Sequence, residues 1–152
     1  SSVPIPGSVK SIGESAFWSC VGISDLVLPE GLETIGNDAF GGCGVKTLKL
    51  PNSLKKVGDY AFDGCTKLTS VTIPKGLTDI GYCAFRFNQM NAISVDPANP
   101  AYDSRNNCNA LIETATNTLL AGCKNTIIPN TVTAIGDGAF SYNPRPDRKS
   151  VV

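Results

Sequence analysis

The chain has 152 residues, 41% of them apolar, with 13 Lys and Arg balancing 13 Asp and Glu and no histidine. Zero net charge, with Lys and Arg scattered except near the C-terminus, leaves no electrostatic footprint for nucleic acid or a polybasic membrane surface. No apolar run approaches the roughly 20 residues that span a bilayer, and the missing histidine removes Ser-His and Cys-His nucleophile pairs and histidine-rich zinc sites.

The apolar residues recur with a fixed period. The pattern apolar-x-x-apolar-x-apolar-Pro, then x-x-apolar-x-x-apolar-Gly, then x-x-Ala-Phe places prolines at Pro6, Pro29, Pro51, Pro74 and Pro129, so that subtraction gives steps of 23, 22, 23 and 55. A period in the twenties means a solenoid, because one such unit cannot bury its own apolar face and must stack on its neighbours. The whole chain, 1–152, therefore reads as one solenoid segment with repeats near 6–28, 29–50, 51–73, 74–96 and 129–152.

In chain order, Ser2-Val3-Pro4-Ile5-Pro6 is the end of a strand whose beginning is missing, so the array is expected to be entered midway. The repeated strands are Ile23 to Pro29, Val45 to Pro51, Leu68 to Pro74 and Met90 to Asp96. Their residues alternate in and out, as with Leu26 and Leu28 inward and Asp25 and Val27 outward, the period of two that a strand demands. Stacked in register they predict a parallel sheet, each strand ended by a proline that cannot donate to the ladder. The Val-x-x-Ile-Gly stretch after each proline predicts a second short strand, and Gly-x-x-Ala-Phe-x-x-Cys a tight helical or 3₁₀ turn. Gly13, Gly36, Gly58, Gly81 and Gly136 share one phase, where a side chain is excluded or φ is positive.

Phe17, Phe40, Phe62, Phe85 and Phe140 form a predicted aromatic column in the interior. Three residues after the first three of them come Cys20, Cys43 and Cys65, an inward column of small buried residues more than a disulfide set. Cys83 lies at another phase, and Cys108 and Cys123 are the one pair worth testing for a bridge. From Pro74 to Pro129 the step of 55 is one repeat of 23 plus 32 more residues, giving an insertion over 97–128. It opens on turn chemistry, Asp96 to Asp103. Ala110 to Glu113 and Thr118 to Ala121 then flank a predicted hairpin with Asn117 at the positive-φ position, packed on the stack in place of an ordinary turn. After Phe140 the pattern fails, and Ser150-Val151-Val152 reads as a strand stub. A solenoid end needs a polar cap; neither terminus supplies one, which points to further repeats or domains.

The repeat wording Leu-x-x-Val-x-Ile-Pro-x-x-Leu-x-x-Ile-Gly-x-x-Ala-Phe-x-x-Cys resembles the BspA-like leucine-rich repeats of bacterial and some protist surface proteins, over about 110 residues in five copies. The stretch from Tyr102 to Cys123 is similar to an insertion seen in bacterial members. The resemblance implies a right-handed leucine-rich-repeat solenoid, mainly β, with its parallel sheet on a concave face. It also implies export to the cell surface or beyond, and binding of a host or neighbouring-cell macromolecule such as an extracellular protein or glycan. No catalytic residues come with it.

The residues themselves add no enzyme. The cysteines contain no Cys-x-x-Cys pair for zinc, and no phosphate- or dinucleotide-binding glycine motif occurs. Asp103-x-Arg105-x-Asn107-x-Asn109 lacks the glycine of a calcium loop and puts Arg105 at a ligand position, so it reads as a solvated turn. The acids Asp25, Glu33, Asp59 and Asp79 fall at unrelated phases, as a dispersed surface does. No cofactor and no metal is expected. What remains is the outer side of the sheet: Asp25, Val27, Thr47, Lys49, Ser70, Thr72 and Ser94, short and hydroxyl-rich, with Tyr102 and Arg105 of the insertion as its aromatic and cationic anchors. The function expected is an adhesion-type interaction module without catalysis. A structural spacer holding another domain away from the cell is the alternative.

Overall fold

The protein is described by a computed structural model covering residues 2–141. Each coil contributes one short strand at the Val-x-x-Ile phase and one just before the proline. In chain order these are β1 (Ser11–Ile12), β2 (Asp25–Val27), β3 (Thr34–Ile35), β4 (Thr47–Lys49), β5 (Lys56–Val57), β6 (Ser70–Ile73), β7 (Asp79–Ile80) and β8 (Ala92–Val95). The odd strands form one four-stranded parallel sheet, and the even ones pair in parallel as β2 with β4 and β6 with β8. The predicted second strand is present in every coil. The predicted single sheet of even strands is instead two pairs lying side by side, the break falling after the coil with the 22-residue step.

The third side of each coil is a corner of consecutive turns, not a helix. Trp18 N–H donates to Ser15 and Cys20 N–H to Phe17, three residues back each time, but φ is positive at Ser15 and Ser19, and that ends any helix at once. The same two phases are left-handed in the following coils: Asp38 and Gly42, Tyr60 and Gly64, Cys83 and Phe87. This conformation aims alternate amides down the stack. Phe17, Phe40 and Phe62 N–H donate to Ala39, Ala61 and Ala84 of the next coil, each at 2.8 Å. The only 3₁₀ turn among the described residues is in the insertion, at Arg105–Asn107.

Inside run Leu26, Leu32, Ile35, Leu48, Leu54, Val57, Leu68, Ile73 and Leu77, all within one continuous core. Phe17, Phe40, Phe62 and Phe85 stack face to face with centroids 5.1, 5.3 and 5.5 Å apart, so four of the five predicted rings make the column. Phe140 does not join it; half-buried, it packs with Ala110, Ile112 and Leu119 in a second cluster because the insertion stands in between. The recurrent glycines hold φ in the ordinary range. A Cβ on Gly36, Gly58 or Gly81 would lie within 2.7 Å of the backbone of the coil above, so coil-to-coil contact is what excludes a side chain.

All six cysteines are free thiols. Cys43 and Cys65 are buried and donate to the Phe17 and Phe40 carbonyls at 3.0 and 3.2 Å; Cys20, on the first coil, is half-buried. Burial pushes the Cys65 thiol up to about 12. In the fourth coil Asn88 takes this phase, donating to Phe62 and Phe85 carbonyls. Cys108 and Cys123 are buried, unbridged, and bond instead to Ser104 and to the Asn109 carbonyl.

After β8 the chain turns back through Asn99. Its amide donates to the Pro74 and Leu77 carbonyls while its oxygen accepts from Ala101 and Tyr102 N–H. There follow β9 (Tyr102–Asp103), β10 (Ala110–Glu113) and β11 (Thr118–Gly122), antiparallel in sequence, and β12 (Ala134–Ile135) parallel to β11. Asn117 has φ 53°, as the hairpin requires. The stub expected at Ser150-Val151-Val152 lies outside the described residues.

Candidate interaction face

On the even strands inward residues are buried and outward ones exposed, an alternation fixed by the pleat. The parallel register sets Asp25 beside Thr47, Val27 beside Lys49, Ser70 beside Ala92, and Thr72 beside Ser94. Asp25, Val27, Thr47, Lys49, Ser70, Thr72 and Ser94 are all exposed, the first four on one strand pair and the last three on the other, with the sheet interrupted between Lys49 and Ser70. Val27 keeps 66% of its surface in solvent. Thr72 and Ser94 share a hydroxyl hydrogen bond of 2.8 Å, and Lys49 makes no ion pair among the described residues.

The two residues expected to anchor the insertion do other work. Tyr102 is buried; its hydroxyl accepts from Ile80 N–H at 2.9 Å and donates to the Thr78 carbonyl, ending the sheet of odd strands where a further strand would continue it. Arg105 grips Asp103 through Nε and Nη2, both at 2.7 Å, and reaches Asn117 and Thr131 with Nη1. It is a clasp joining the start of the insertion to its hairpin. The guanidinium, ahead of Thr114, holds the Asp103 carboxyl below the ordinary carboxylate range. Sequence spacing cannot show that a Tyr or Arg in a turn-rich stretch is consumed by its own fold.

The exposed aromatics lie elsewhere, on the turn corners. Trp18 is 62% and Tyr82 50% exposed; Tyr60 meets Tyr82 edge to face at 5.6 Å. Arg86 lies over the Tyr60 and Phe87 rings at 5.0 and 4.3 Å and pairs with Asp63 at 3.0 Å. The sequence signal for this edge was available: the phases flanking Ala-Phe carry Trp, Tyr and Arg, the residue types that dominate interface energetics. The odd-strand face is different again, since Lys55 pairs with Glu33 at 2.9 Å and Lys56 with Asp79 at 3.4 Å from coil to coil. Among the described residues no three His, Cys, Asp or Glu converge as a metal site, and no helix is long and apolar enough to cross a membrane.

Solved structures share this fold, three of them as follows. The pneumococcal vaccine antigen PcpA is 20% identical with a TM-score of 0.80, over 95% of this chain and 43% of that one. A leucine-rich repeat protein from Eubacterium ventriosum is 21% identical with a TM-score of 0.74, over 95% and 45%. A leucine-rich cell surface protein from Faecalibacterium prausnitzii is 21% identical with a TM-score of 0.58, over 95% and 52%. The chain thus spans about half or less of each of these proteins. No curated protein matches it in sequence. The pattern that defines the BspA type leucine rich repeat region matches residues 1–111 in 6 copies, so the chain belongs to the BspA type leucine-rich repeat family.

Proposed function

We propose that this protein is a non-enzymatic interaction module of the adhesion type, exported to the cell surface or secreted, which binds a host or neighbouring-cell macromolecule. The binding surface is the outward column pair Asp25, Val27, Thr47, Lys49, Ser70, Thr72 and Ser94. One observation carries this reading: the even-strand face is exposed, in register within each strand pair, and among the described residues makes no ion pair between coils, whereas the odd-strand face ties its charges into such pairs. Thr72 and Ser94 are bonded to each other and Asp25 to Ser24, but Thr47, Lys49 and Ser70 have no side-chain hydrogen bond to another described residue and keep that capacity for a partner. Short hydroxyl side chains make each contact weak, so affinity is summed over several coils. The cell-surface and antigen descriptions of the similar structures support export.

The test is a capture screen of extracellular matrix proteins and glycans with wild type, Thr47→Arg/Ser70→Arg, and Lys55→Glu on the opposite face. The reading predicts a captured partner that the double variant loses and Lys55→Glu keeps, with all three circular dichroism spectra alike. Capture unaffected by the double variant would place the surface elsewhere.

A further inference from the structure

At the first three coil junctions the corner amides are all satisfied from below. Ser15 and Phe17 donate to Asn37 and Ala39, Asp38 and Phe40 to Asp59 and Ala61, and Tyr60 and Phe62 to Tyr82 and Ala84. The fourth corner repeats the same backbone, with φ 50° at Cys83 against 53°, 53° and 56° at the equivalent residues. Its amides therefore point the same way, yet Cys83 and Phe85 N–H find no acceptor among the described residues. The carbonyls at the matching phase are engaged elsewhere: Asp137 takes the Cys83 thiol at 3.5 Å and Ala139 takes Gly122 N–H at 2.8 Å. Strand β12 pairs with β11 instead of β7, so the last coil meets the fourth around Asp137 and Gly138, against Tyr82, Cys83 and Arg86. The result is a wedge-shaped cavity of about 170 Å³ lined by Leu111, Leu120 and Ala121 together with Glu113, Asp137 and Tyr82; Glu113 accepts from the Thr116 hydroxyl, and Asp137 accepts from the Tyr82 hydroxyl at 3.5 Å.

We propose that this wedge binds one neutral sugar ring, free or as the terminal unit of a glycan. Size comes first: sites for drug-sized ligands run to about 300–1,000 Å³, so this one takes a single ring. The two amides belong to residues two apart in the turn corner, and each needs its own acceptor, which separate hydroxyls of one ring can supply. Glu113 and Asp137 repel anions, and the carboxylate oxygens not engaged by Thr116 and Tyr82 can accept hydrogen bonds from hydroxyls, while the nearby cation, Arg86, is already bound to Asp63. A cationic ligand would suit the carboxylates but leave both amides without the acceptor that the equivalent amides have in the first three coils. Hydroxyl groups, which donate and accept, satisfy both sets, and Leu111, Leu120 and the Tyr82 ring cover the C–H face. This inference is independent of the even-strand face.

Saturation-transfer NMR with methyl glycosides of glucose, galactose and mannose, and with N-acetylneuraminic acid and lysine as charged counterparts, tests it. At least one neutral glycoside is expected to bind with millimolar affinity. Asp137→Asn should raise that Kd about tenfold. Ala121→Phe, which plugs the wedge, should abolish binding, and Thr47→Arg should leave it unchanged. Should Ala121→Phe fail to fold, Asp137→Asn carries the test alone. Capture on a glycan array displaying the same sugar identifies the terminal unit as ligand; binding of the glycoside without array capture identifies the free sugar. The proposal is overturned if no neutral glycoside binds, if only a charged probe does, or if binding is indifferent to Asp137→Asn and Ala121→Phe alike.

Discussion

The four coils before the insertion and the part of the chain after it use the same sequence motif to different effect. In the first region Gly, Ala and Phe at fixed phases bring each coil against the one above, so that a Cβ on Gly81 would come within 2.4 Å of Asp59 N. In the second, a Cβ on Gly136 would come no nearer than 3.3 Å to any other atom, Phe140 rests on the hairpin, and a cavity opens. A motif residue acquires its energetic weight from the coil beside it. Remove that neighbour and the same residue becomes nearly dispensable.

Four experiments can break or sharpen this contrast. The largest effect should come from the column. Phe62→Ala, stacked on both faces and fully buried, should lose about 3–5 kcal/mol in denaturant unfolding, and Phe140→Ala about 1–2 kcal/mol. Equal losses would mean that the last coil is packed like the others. Next come the glycines: Gly81→Ala should cost about 1–3 kcal/mol by forcing two coils apart, whereas Gly136→Ala should stay within about 0.5 kcal/mol of wild type.

Acid should then separate the regions. Because Arg105 lowers the folded-state pKa of Asp103 below its unfolded value, that clasp stabilises fully above the unfolded pKa and is lost as pH falls through the folded one. Below about pH 4 the insertion should therefore lose hydrogen-exchange protection before the coils do, and Asp103→Asn should remove this pH dependence. The smallest effect is on thiol reactivity. All six cysteines should titrate under denaturant, but in the native state Cys20 and Cys83, both half-buried, should be labelled well before Cys65, whose thiol burial pushes up to about 12.

The repeat was legible because its period, its proline spacing and its inward residues obey one geometry, and one geometry produces one pattern. That is why the strand pairs, the four stacked rings, the buried Cys43 and Cys65 and the hairpin with Asn117 could be placed from the sequence. The outward columns followed from the same alternation. What the pattern could not carry was anything decided by a single contact. Tyr102 and Arg105 looked like free anchors, and are committed to Ile80 and Asp103. Asn99, inside the turn-rich stretch, and Asn88, at the cysteine phase of the fourth coil, each bond two carbonyls of the stack, which spacing alone does not show. The left-handed phase ahead of Ala-Phe was hidden because Ser15, Asp38, Tyr60 and Cys83 share a backbone conformation and no side-chain chemistry.

Native-state hydrogen exchange at three equivalent amides tests the central contrast most directly. Phe40 and Phe62 N–H, each bonded to the next coil at 2.8 Å, should exchange only by global unfolding, and Phe85 N–H, facing the wedge, should exchange orders of magnitude faster. Protection of Phe85 equal to that of Phe62 would contradict the account, because it would mean that the stack runs unbroken through the insertion.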